Sequence, residues 1–144
     1  MLDRQMIKRK IGRIEKELFY LSDFKDFTFD ELAKDYLTHH AAERLIEVIV
    51  NFAIDINQHI IANSVKKDLP FDFKESFLIL SDIGVYPKDF ANQIGQSAGL
   101  RNILVDDYAK LDEKKFYSSI KDCYKDYTEY CRYIIDYLNK SKQG

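Results

Sequence analysis

Helix breakers are scarce in this chain: two prolines and five glycines stand among 144 residues. A many-stranded sheet needs turn residues at short intervals, so this scarcity favours long helices joined by few turns. Cysteine is nearly absent too. Cys123 and Cys131 are the only two, and on one predicted helix their spacing sets them about 12 Å apart along the axis, too far for a disulfide. Neither belongs to a metal-ligand pattern, which excludes a disulfide scaffold or a zinc module and leaves reduced, packed thiols. No charge of one sign dominates, the formal net charge being −2, so no global basic field points to nucleic acid. Signal peptide, long uncharged apolar run and lipidation motif are all missing; the expected location is cytoplasmic, with no membrane partner.

What is present is the balance of a globular protein, 46% hydrophobic and 32% charged. The length suits one domain over residues 1–144, with a core that needs no crosslink. Ile7, Ile11, Ile14, Leu18 and Leu21 alternate steps of four and three, the stripe of a helix that Asp3 can cap. The same helix carries Arg4, Lys8, Arg9, Lys10, Arg13 and Lys16, a solvated face or a local concentration of positive charge. Ser22 to Thr28 is a linker plugged by Phe24 and Phe27, after which Asp30 caps a second helix running to Asn63, on the order of 50 Å long.

A turn over Lys66–Asp72, with Pro70, separates it from a short helix, Phe73–Asp82, closed by Gly84. Pro87 marks the start of another helix, weakened in its middle by Gly95 and Gly99. Asp112 caps the last, whose stripe is Phe116, Ile120, Cys123, Tyr127, Cys131, Ile134 and Leu138, ahead of a frayed tail from Lys140 to Gly144. No strand is predicted. The fold class is all-α, a four- to five-helix up-and-down bundle.

The second helix is apolar around most of its circumference, from Leu45 to Ile61. That breadth implies burial on more than one side, and a second copy of the chain is the simplest cover. A polar row interrupts it: Glu43, Glu47, Asn51, Asp55 and His59, each four residues after the last. The row is either the solvent side of the helix or, through Glu47, Asn51 and Asp55, the lining of a polar cleft. His59 and Asp55 could form a surface hydrogen-bonded pair. Of the three histidines none follows a Glu by three residues, which removes a di-iron carboxylate bundle. Gly-rich phosphate loops, zinc patterns and Gly-x-Ser-x-Gly elbows are absent.

More specific chemistry lies in Arg101-Asn102-Ile103-Leu104-Val105-Asp106-Asp107-Tyr108. On a continuous helix, Arg101 and Tyr108 project from nearly the same face, two turns apart, with Asn102 and Asp106 on an adjacent one. Arginine is a permanently charged, bidentate phosphate clamp, and a tyrosine hydroxyl can donate or be modified. The plain alternative is a helix end bearing an Arg–Asp surface pair.

This segment resembles the active-site motif of the HepT-like toxins, ribonucleases of the HEPN class, which runs Arg, usually Asn, three variable residues, His, one residue, Tyr. Arg101, Asn102 and Tyr108 match, and Asp106 stands where the motif has histidine. The similarity extends to Ile54–Ile61, the Phe73–Gly84 helix, Pro87, Gly99-Leu100 and Lys110-Leu111-Asp112. It implies a HEPN-type bundle and a homodimer that cuts RNA in an interface cleft with neither metal nor cofactor. It also implies an MntA-type nucleotidyltransferase antitoxin as partner, which silences the toxin by transferring AMP to the tyrosine, here Tyr108. The implied catalytic positions are Arg101, Asn102 and Asp106.

The histidine matters because metal-free RNA cleavage moves a proton near neutral pH, a task that suits imidazole, with a pKa near 6.5. Aspartate, at about 3.9, is a weak base and no general acid at pH 7. Weakened or lost cleavage is therefore expected. Asp106 is then a natural degenerate site, an inactivating change, or, with Asp107, part of a divalent-cation site. A non-catalytic helical partner of a nucleotidyltransferase is the alternative reading.

Overall fold

The computed structural model describes residues 1–64 and 72–143. Its helices are α1 (Arg4–Leu21), α2 (Phe29–Lys34), α3 (Tyr36–Ala62), α4 (Phe73–Ile83), α5 (Lys88–Asp106) and α6 (Glu113–Gln143), with a 3-10 turn at Tyr108–Lys110 between the last two. No strand occurs among the described residues, and the architecture is an all-α bundle.

Local signals start and stop these helices. The Asp3 carboxylate accepts from the Met6 N–H at 3.0 Å, and that of Asp112 from Lys114 and Lys115, so both expected N-caps are in place. Gly84 closes α4 at φ +97°, a left-handed conformation that a side chain would oppose. Pro87 immediately precedes α5, which runs unbroken through Gly95 and Gly99. At the far end α6 is helical to Gln143. Apart from Asp72, the turn expected over Lys66–Asp72, Pro70 included, lies outside the described residues.

One boundary differs in kind. The long helix expected from Asp30 to Asn63 is two helices, broken at Asp35. Asp35 sits in extended backbone (φ −106°, ψ 107°), and its carboxylate accepts from the N–H groups of Leu37 and Thr38, which caps α3 afresh. Asp30 is not the cap of α2 either. Thr28 is, in a reciprocal capping box with Glu31.

Helix α3 is the axis of the bundle, packing against α1, α2, α4, α5 and α6. Its broad apolar surface is consumed within one chain: Ile46, Ile49, Val50, Ala53, Ile56, Ile60 and Ile61 are buried among these neighbours. The breadth alone therefore does not call for a second copy, as the sequence suggested. The α1 and α6 stripes are buried throughout, Cys123 and Cys131 with them as free thiols. Buried polar atoms tie the layers together. Tyr130 on α6 donates to Asn57 Oδ1 on α3 at 2.6 Å, and Asn57 donates on to Ser76 Oγ on α4.

Candidate functional site

The site forms where the C-terminal end of α5 runs against α3. Helix α5 holds Arg101, Asn102 and Asp106 and stops there. Asp107 leaves helical geometry (φ −148°, ψ 46°) and Tyr108 opens the 3-10 turn. Arg101 and Tyr108 therefore do not share a face of one continuous helix, contrary to the sequence expectation. The break is local: the Asp107 carboxylate pairs forward with Lys110 at 3.2 Å, and the Lys110 N–H bonds back to the Asp107 carbonyl. It turns Tyr108 towards α3.

Arg101 is held from three directions. Its Nε donates to Asn51 Oδ1 at 2.7 Å and its Nη1 to Asn102 Oδ1 at 3.2 Å. The Phe73 ring lies 5.0 Å from the guanidinium carbon in a cation–π contact. These contacts fix the plane of the fork and, among the described residues, leave Nη2 uncommitted for an anion. Asp106 is exposed and makes no ion pair with Arg101 or with any other described residue, so the Arg–Asp surface pair of the alternative reading does not form.

Tyr108 meets α3 about two turns nearer its N-terminus. Its hydroxyl donates to both carboxylate oxygens of Glu43, at 2.9 and 2.8 Å. Glu43 is buried, whereas the tyrosine remains 44% exposed and open to a reagent. Two imidazoles flank the same carboxylate. His40 Nδ1 lies 3.0 Å from Oε1, and the His40 ring stacks over that of Tyr108 at 6.2 Å. His39 Nε2 lies 2.7 Å from Oε2 but off the hydrogen-bond axis, a close electrostatic contact rather than a satisfied bond. Burial, together with the hydrogen bond and charge of Glu43, pushes the Tyr108 phenol up to about 12.

The polar row of α3 thus divides. Asn51 reaches Arg101, as a cleft-lining residue would. Glu47 pairs instead with Arg44 on its own helix at 2.5 Å, and Asp55 with Lys10 on α1 at 3.3 Å. His59 and Asp55 form no pair, because the His59 ring accepts the Asp3 N–H at 2.8 Å. Part of the α1 basic cluster is likewise spent internally: Arg4 donates to the Leu138 carbonyl, and Lys10 and Arg13 lie over the Phe52 ring. The sequence reading gave His39 and His40 no place in the site and counted Glu43 only as a member of the polar row, not as a cleft residue. Their spacing, i to i+4 and i to i+3, was the available signal.

Fold and site together define a helical bundle whose α5 terminus presents arginine, asparagine and tyrosine beside a polar stretch of its central helix. The family described as "Ribonuclease HepT-like" matches residues 7–134. A protein named tRNA nuclease HepT, from Aphanizomenon flos-aquae (strain 2012/KM1/D3), is 30% identical over 133 residues, covering 92% of this chain and 90% of its own length. The chain belongs to the HepT-like family.

Among solved structures, the tri-AMPylated Shewanella oneidensis HEPN toxin in complex with MNT antitoxin superposes with a TM-score of 0.82 at 19% identity, over 93% of this chain and 99% of that one. YutE from Bacillus subtilis, a cytosolic protein of unknown function, does so at 0.84 and 19%, over 97% and 93%. At these identities the likeness is one of fold.

Proposed function

We propose that this chain is the HEPN component of a toxin–antitoxin pair, a homodimer that engages RNA through Arg101 but cleaves it weakly or not at all. The observation that carries this reading is the contrast between two motif positions. Arg101 is fixed by Asn51, Asn102 and Phe73 with Nη2 turned to no described partner, while Asp106 offers an exposed carboxylate where cleavage calls for an imidazole. The nearby histidines do not take its place: His39 and His40 lie against Glu43, about two helical turns along α3 from the Asn51 that holds Arg101. The relative named as a tRNA nuclease supports RNA as the substrate class. A carboxylate facing the RNA backbone adds repulsion to the missing proton transfer.

The partner is an MntA-type nucleotidyltransferase. Tyr108 is the AMP acceptor, as the AMPylated toxin of the same fold suggests. The half-exposed tyrosine is accessible to it, and a phosphodiester there places negative charge beside the Arg101 surface, where it competes with RNA.

The test is RNA cleavage in a chelator-containing buffer. The unaltered chain is expected to leave RNA intact, and Asp106→His to cleave it in an Arg101-dependent manner. Robust metal-free cleavage by the unaltered chain would refute the impaired site. An inert Asp106→His variant that folds and dimerises would instead favour a non-catalytic binding partner of the nucleotidyltransferase.

A further inference from the structure

Nothing in an AMP acceptor requires the tyrosine to be bonded to a buried acid, yet Tyr108 is. Its hydroxyl points at both oxygens of Glu43, which is drawn from a helix turn 65 residues away in sequence. A carboxylate buried to 6% exposure needs compensation, and Glu43 receives it from the phenol and from His39 and His40 together. Tyr108 stays 44% exposed, which leaves its side chain open to an electrophile while the hydroxyl proton is directed at Glu43. Nucleophile, proton acceptor and flanking imidazoles are thereby assembled before any partner binds.

Resting on the reading of Tyr108 as an AMP acceptor, we propose that Glu43 is the general base of that modification, supplied by the acceptor protein itself, with His39 and His40 as positioning residues. In the step, the Tyr108 oxygen forms a bond to the α-phosphorus of a nucleoside triphosphate. The bond from that phosphorus to the bridging oxygen breaks, and pyrophosphate departs with the electron pair. The phenol proton passes to Glu43, which later releases it to solvent. Free phenolate is scarce at neutral pH, so proton removal has to accompany attack, and the 2.8 Å contact is within reach for that.

Glu43→Gln separates this role from a passive clamp. The amide preserves the shape and one accepting oxygen but takes no proton. It also removes the charge that, after burial, opposes ionisation of Tyr108, so the phenol titrates below the wild-type value of about 12, measurable by NMR of labelled tyrosine. A passive clamp then predicts a more reactive phenol, whereas a general base predicts a less reactive one. With the nucleotidyltransferase, ATP and magnesium, the mass of the Tyr108 peptide reports the rate. The expected result is a kcat lowered by about 100-fold or more with KM for the acceptor little changed. Equal or faster modification of Glu43→Gln overturns the role of Glu43 and leaves the acceptor reading standing. Wild-type chain that gains no AMP overturns the acceptor reading and this inference with it.

A second measurement needs neither the variant nor the partner. An aryl sulfonyl fluoride should label wild-type Tyr108 faster than Tyr20, which is as exposed, at 46% against 44%. Labelling of Tyr108 no faster than Tyr20 overturns the proposal.

Discussion

Asp126 illustrates how much of this protein's chemistry is set one side chain at a time. It lies buried on α6, where Gln93 of α5 donates to its Oδ1 at 2.8 Å. Burial, with the charges of Asp122 and Glu129, raises its carboxyl to about 6, while Lys125 and the Gln93 bond oppose the shift. The folded chain consequently holds this proton more tightly than the unfolded chain, whose ordinary value is 3.8. The sign follows: stability falls as pH rises from about 3.8 to about 6, and the full cost remains above that window. Asp126→Asn keeps an accepting oxygen for Gln93 and discards the charge. Its melting temperature should exceed that of wild type at pH 7.5, with the gap closing by pH 4. A gap that does not vary with pH would show that the carboxylate is not the source. The same scale governs the candidate site, where Asn51 and Glu43 decide what Arg101 and Tyr108 can do.

Among the elements, the boundary between α2 and α3 depends on the Asp35 carboxylate. It accepts chiefly from Thr38 and also from the Leu37 N–H, and these bonds hold its pKa below the ordinary 3.8. Such a contribution is present above the unfolded value and is lost as pH falls through the lower, native one. Asp35→Ala should therefore lower the melting temperature at pH 7, and the difference should shrink in strong acid; an undiminished difference at pH 2 would assign the effect to the backbone instead. This boundary was not legible in the sequence. Leu32 and Ala42 keep the apolar pattern going on either side, and an aspartate within such a run reads as a surface residue. Signals confined to a few neighbouring residues were legible: the Asp3 and Asp112 caps, the left-handed Gly84, and the stripes of α1 and α6. The motif residues could be read as a string, but their partners could not. Asn51 meets Arg101 across 50 residues and Glu43 meets Tyr108 across 65, because α5 descends α3 in the opposite chain direction. Only packing creates that juxtaposition.

At the scale of the whole molecule, the proposed homodimer has to rest on what the bundle leaves uncovered, since α3 is already enclosed by its own chain. The uncovered apolar side chains include Tyr36, Leu37 and Val105, exposed to 73%, 75% and 44%. They do not lie far from the site. The Tyr36 ring is 4.2 Å from that of His40, which stacks in turn on Tyr108, so the apolar rim and the polar cluster are continuous. A second copy docking on this rim would bring two motif surfaces together and remove large apolar groups from water, which favours association by roughly 25 cal/mol for each Å² of apolar surface covered. Leu37→Asp tests the arrangement without threatening the core. The side chain is exposed in the single chain, and an acid in the first turn of a helix favours the helix dipole. Sedimentation equilibrium should show the variant shifted toward monomer while its melting and helicity stay near those of wild type. A Leu37→Asp chain that dimerises as tightly as wild type would place the interface elsewhere, and the two motif surfaces would then have no reason to share a cleft.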